Sequence, residues 1–150
     1  MCDTDVQSLV NGLTNRDDKY AYQCLKQLID ISNHSALVYE YFDTLLDMLD
    51  NSKSYVRTRG FLLIVNNSKW DTNNRIDESI YKILDTINDE KPITVRQCIN
   101  NIPILVKNKP YLKEYIVAAL HKVDVDKYKD SMKPLIVKDI RNALDTIDAL

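Results

Sequence analysis

Histidines, cysteines, a tryptophan beside an aspartate, and a surplus of carboxylates are the side chains here that could do chemistry. His34 and His121 lie far apart in sequence, one expected in an inter-helix loop and one near a helix end, where surface or capping roles are the ordinary use. Cys2, Cys24 and Cys98 are odd in number and form no CxxC, so a disulfide framework is not expected and a reducing cytoplasm suits the chain. No HExxH, GxSxG, P-loop or GxGxxG occurs. Without a nucleophile–base, metal or phosphate-cradling pattern, the expectation is a protein that is not an enzyme and carries no cofactor or metal. Trp70, the single tryptophan, precedes Asp71. It reads either as a plug between helices or as a contact platform, since tryptophan is rich in contact energy at interfaces.

The elements that must position these groups are helices. The chain has 150 residues, 45% of them hydrophobic, but only two Gly and four Pro. That scarcity starves hairpins of turn residues. No apolar stretch approaches the roughly 20 residues that span a bilayer, and the N-terminus shows no signal-peptide pattern, so no membrane partner is expected. Val38, Phe42, Leu45, Leu46 and Leu49 form an amphipathic stripe that recurs at Ile76, Ile80, Ile83, Leu84 and Ile87, and again at Leu112, Ile116, Ala119, Leu120 and Val123. A shortened copy, Val6, Val10 and Leu13, carries a capping box at Thr4 and Gln7. Second helices follow each copy, anchored at Ala21, Val56, Val95 and Val137, which lie 35, 39 and 42 residues apart.

The spacing predicts helices over 4–13, 17–32, 35–50, 53–66, 74–88, 91–107, 109–122 and 132–148. Pro92, Pro110 and Pro134 fall in first turns, where a missing N–H costs little. Pro103 falls inside a helix and should kink it or split it near Asn101. Gly60 sits mid-helix, at about 1 kcal/mol relative to Ala, which points to close approach of a neighbour. Helix pairs repeating at this period bury their cores by stacking, so the expected fold is a single all-α domain, a right-handed α-solenoid of about four pairs with the second helices inside.

Val56-Arg57, Val95-Arg96 and Val137-Lys138, with Asp50 and Asp89 seven residues before the two arginines, resemble the signature of HEAT repeats. The resemblance implies an inter-repeat ladder built from these two rows. The segments SYVRTRG, KWD, DEKPITVRQCI and YKDSMKPLIVKDI are similar to short bacterial HEAT-like proteins sometimes labelled "SufBD protein". That label comes from β-helical iron–sulfur scaffolds, a fold this sequence cannot form. HEAT-like alkylpurine DNA glycosylases set aromatic and acidic residues on a basic concave face, which draws attention to Trp70 and Asp71.

Charge is sorted along the chain although the net charge is only −2. Residues 39–50 and 76–90 are strongly acidic, whereas 53–70 and 91–109 carry only basic charges. Acidic outer helices would attract basic inner ones, and a basic concave face would also attract an anionic partner. Arg59, Lys69, Trp70, Arg96, Lys107 and Arg141 are the candidate contacts. Arg59 follows Arg57 by two positions and so points about 200° away around the helix. The expected partner is an acidic protein segment. Nucleic acid is the alternative, less favoured because aromatics are not interleaved with the basic residues along the sequence.

Overall fold

Three of the long helices begin with the same sharp turn. In the computed structural model, which describes residues 3–150 with side chains from residue 5 onward, Asn15 Oδ1 accepts a hydrogen bond from Asp17 N, Asn51 Oδ1 from Lys53 N, and Asp89 Oδ2 from Lys91 N, each at 2.9 Å. These side-chain turns redirect the backbone three residues before each helix starts. The helices they launch are α2 (Asp18–Ser32), α4 (Ser54–Asn66) and α7 (Pro92–Asn101). Asp17 also caps α2, accepting from Lys19 N and Tyr20 N.

All regular secondary structure among the described residues is helical. Helix α1 (Asp3–Gly12) packs on α2, and α3 (Phe42–Met48) packs on α4. Helices α5 (Arg75–Glu78) and α6 (Ile80–Asp85) lead into a 3-10 turn at Thr86–Asn88 that packs on α7. The path continues through α8 (Pro103–Asn108) and α9 (Lys113–His121) to α10 (Lys133–Asp148), which packs on α7, α8 and α9. The long helices form a row: α4 packs against both α2 and α7, and α7 against both α4 and α10.

The predicted spans all contain helix, but several are composite. Pro103 starts α8 and separates it from α7, as its position requires. The division between α5 and α6 at Ser79 has no proline or glycine behind it; Ser79 leaves helical geometry at φ −113°, ψ 16°, while the apolar stripe continues through the break. Pro92, Pro110 and Pro134 stand in first turns. The Thr4 side chain of the expected capping box, and Cys2, lie outside the described residues.

Helix α4 is buried along nearly its whole length, from Val56 through Phe61, Leu63 and Ile64 to Val65. Gly60 shows how closely α3 approaches it. A Cβ there would stand 2.9 Å from the Leu45 carbonyl oxygen and 2.9 Å from Met48 Cβ. Gly60→Ala should therefore destabilise the protein by about 1–3 kcal/mol through overpacking, against a helix-propensity gain of about 1 kcal/mol. Thermal unfolding checks the sign, and an unchanged or raised midpoint would mean that α3 yields without cost.

Candidate functional site

The row of long helices is stitched at both ends by polar contacts, and these decide which cations remain available. Arg57 grips Asp89 with two parallel bonds, Nε to Oδ1 at 2.8 Å and Nη2 to Oδ2 at 2.9 Å, and donates from Nη1 to Asn51 O. Arg96 Nε donates to Asp139 Oδ2 at 2.7 Å. The Thr58 hydroxyl meets that of Thr94 at 2.9 Å, and both lie against Ser54 O. At the other end Asn67 Nδ2 reaches Ser32 Oγ, and Asn108 Nδ2 reaches Ser68 Oγ.

These contacts revise the expected ladder. Asp89 does face an arginine of the preceding pair, but Asp50 meets Lys82 rather than an arginine. The position in the turn that corresponds to Asp89 is Asn51, since each stands three residues before its helix. Asp139 on α10 supplies the partner for Arg96, and Lys138 is exposed. Arg75 pairs with Asp43 in the same way, between neighbouring helix pairs. Part of the charge sorting thus has a structural cause: cations of one unit close on acids of a neighbouring one.

The six expected contacts do not converge. Arg59 is not the free, exposed cation that its angle around the helix predicts. It is only 6% exposed, donates from Nη1 to Leu13 O at 2.9 Å, and places Nη2 3.4 Å from Asp18. Leu13 follows the end of α1, where backbone carbonyls have no helical partner, and the guanidinium fills that vacancy. Arg96 is held by Asp139. Trp70 is half-buried and donates Nε1–H to Ser32 O at 2.8 Å, so it fastens one pair to the previous one, while exposed Lys69 sits 5.7 Å from its ring. Lys107 is exposed beside Pro110 and Ile147. Arg141 is exposed on α10 beside a depression lined by Lys133, Val137 and Lys138 and by none of the other five.

Asp71, the acid beside the tryptophan, is enclosed in a polar clasp rather than presented to solvent. Its side chain accepts from the Tyr39 hydroxyl, Arg75 N at 3.0 Å and Ile76 N at 2.9 Å, and lies 3.0 Å from Lys109 Nζ. The buried Lys109 ammonium also contacts Asp77 Oδ1 and the Tyr111 hydroxyl, each at 3.0 Å. Burial alone would raise the Asp71 carboxyl, but the hydrogen bonds and the Lys109 charge outweigh it and hold it below the usual range. Burial and the bond to Asp71 push Tyr39 up to about 12. Burial would lower Lys109, yet its bonds to Tyr111, Asp77 and Asp71 raise it. A carboxylate so fully engaged is unsuited to attack or proton transfer on a bound base.

His34 is exposed in the loop after α2 and His121 is exposed at the end of α9. Cys98 is buried, and burial pushes its thiol well up, away from the reactive thiolate. Among the described residues no group of three or more His, Cys, Asp or Glu is placed to hold a metal ion. No helix of the described residues is long and apolar enough to cross a membrane.

A groove of about 440 Å³ crosses the same face of α2, α4 and α7. Its mouth is formed by Tyr22, Tyr55 and Ile93, exposed by 55%, 39% and 59%. Leu25, Ile29 and Leu62 make an aliphatic floor. No acid lines it. Lys26 Nζ sits 5.5 Å from the Tyr22 ring centre, and Lys53 Nζ and the Arg59 guanidinium sit 5.9 Å and 5.0 Å from that of Tyr55. Each of these cations lies within four residues of the ring it meets, so the pairs are local to α2 and to the start of α4, and the groove sets the two helices' pairs side by side. The signal for this surface was a large tyrosine or isoleucine on the solvent side of each long helix.

No family model matches the chain. No curated protein matches it, and no solved structure matches it.

Two consequences can be measured. Arg59→Glu should destabilise the fold, by about 1–3 kcal/mol for the orphaned Leu13 carbonyl alone, with the buried carboxylate adding to that. Arg141→Glu should stay within about 0.5 kcal/mol. Urea denaturation of both variants tests this, and equal midpoints would refute the assignment of Arg59 to the interior.

The clasp sets a pH window. Raised Tyr39 and Lys109 stabilise the fold fully below their ordinary values of about 10, and that stability is lost as pH rises toward the folded values. Lowered Asp71 contributes above about 3.9 and is lost as pH falls through its folded value. Urea midpoints should fall between about pH 10 and 12, and less steeply in Tyr39→Phe; an equal slope in that variant would show that the phenol carries none of the loss.

Proposed function

We propose that this chain is a short right-handed solenoid of HEAT-like helix pairs that acts as a non-catalytic binding module, holding an acidic segment of a protein partner in the groove across α2, α4 and α7. The observation that carries the reading is the groove itself. It offers exposed tyrosines, an aliphatic floor and Lys26, and its lining holds no acid. Stacked helical repeats use such faces as extended binding surfaces, and exposed tyrosines beside cations are typical of contact hot spots.

A second reading, single-stranded nucleic acid, is favoured by one observation: lysines stand over Tyr22 and Tyr55. The floor weighs against it. Leu25, Ile29 and Leu62 match apolar side chains better than sugar and phosphate. A glycosylase role for Trp70 and Asp71 has little support, because both side chains are engaged in holding helix pairs together.

Affinity capture from native lysate should compare the wild-type chain with a Tyr22→Ala/Lys26→Glu double variant and with Arg141→Glu. The expected result is a set of acidic proteins retained by the wild type and by Arg141→Glu, weakened as salt shortens the screening length, and lost from the double variant. Equal retention by the double variant, or retention only of nuclease-sensitive material, would refute the proposal.

A further inference from the structure

The polar groups around the groove place a further demand on whatever occupies it. Thr58 and Thr94 are buried, and their hydroxyls are engaged with each other and with Ser54 O. Arg59 is engaged with Leu13 O and Asp18. That leaves Gln97, the Ser54 and tyrosine hydroxyls and the flanking lysines as scattered side-chain partners at the surface, and packed helices expose no row of free backbone groups such as a sheet edge provides. An extended peptide laid over the aliphatic floor would bury more backbone N–H and C=O groups than these few side chains can receive, each unmet group costing about 1–3 kcal/mol. A helix brings those bonds with it.

From this we infer that the groove receives an amphipathic, acidic α-helix, with apolar side chains on Leu25, Ile29 and Leu62 and carboxylates flanking them at Lys26 and Lys53. The inference rests on the reading of this groove as a protein-binding site. Three packed helices separated by about 8–10 Å each give a groove roughly 16–20 Å long. At 1.5 Å per residue that accommodates about three helical turns. The anchors should follow the i, i+3 or i+4, i+7 spacing of one helix face.

A phage-displayed library of random 15-residue peptides, panned against the full chain, tests the class of partner whatever that partner's identity. The expected pool is net acidic, carries Leu, Ile, Met or Phe at helical spacing, and gains helical circular dichroism on binding. A synthetic member should bind about tenfold more weakly to Tyr22→Ala and to Gln97→Glu. Both changes are at exposed positions, and unaltered thermal midpoints confirm that the variants fold. A central proline in the peptide should abolish binding.

Acidic peptides that lack helical spacing and tolerate the proline, yet still depend on Tyr22, would overturn the helix while leaving the groove as a protein site. Absence of enrichment, or binding indifferent to both variants, would overturn the helix and the groove together. Binding of an oligothymidylate in preference to every peptide would do the same and favour nucleic acid.

Discussion

Helix α4 packs against α2, α3 and α7, and that coverage governs where the other elements can stand. A helix apolar nearly all round has no stable place on a surface, so the chain must supply neighbours on three sides. Close approach at Gly60 brings α3 to one side. The Thr58–Thr94 and Asn67–Ser32 contacts fix α7 and α2 at opposite ends of the other two. The Asx turns at Asn15, Asn51 and Asp89 return the backbone to the row each time by the same local bond before the helix begins.

Given that packing, charge follows. Arginines and lysines stand where a neighbouring unit offers a carboxylate or an unpaired carbonyl, and most of the resulting ion pairs run between units. Arg57 with Asp89 and Lys109 with Asp77 are each 32 residues apart, as are the Arg75–Asp43 and Lys82–Asp50 pairs. A recurring separation means that a similar inter-unit contact recurs as the chain advances. Those between exposed partners contribute little each. The clasp around Asp71 and Lys109 is different, because both groups are buried: removing Lys109 would leave Asp71 without a cation, and removing Asp71 would leave Lys109 with Asp77 alone.

The helices were legible in the sequence because their signals are local. Apolar spacing, proline positions and a mid-helix glycine depend on a few adjacent residues, and each found its counterpart in the structure, including the break at Pro103. The fate of Arg59 was not legible. Its angle around the helix was right, but its partner is a carbonyl just beyond the end of α1, 46 residues away, and backbone acceptors leave no mark on the residue types around them. Asp71 misled for a related reason: an acid after a tryptophan looks solvent-facing until Tyr39, Ile76 and Lys109 are folded around it. The groove was missed because Tyr22, Tyr55 and Ile93 belong to three different helices.

The same packing explains why that groove stays open. Ser54, Thr58 and Thr94 meet one another beneath the face, so the helices are held together below it and their outer edges are left unbridged. Closing the gap would need large apolar side chains facing one another across it. The chain instead places tyrosines whose rings are paired with cations at the mouth, an arrangement that keeps apolar surface near water without closing over it. Isolated exposed hydrophobes need no explanation, but Tyr22, Tyr55 and Ile93 border one aliphatic floor whose lining holds no acid. Stability alone would be served as well by polar side chains at these positions, so the residues at the mouth are the part of this surface that packing does not account for.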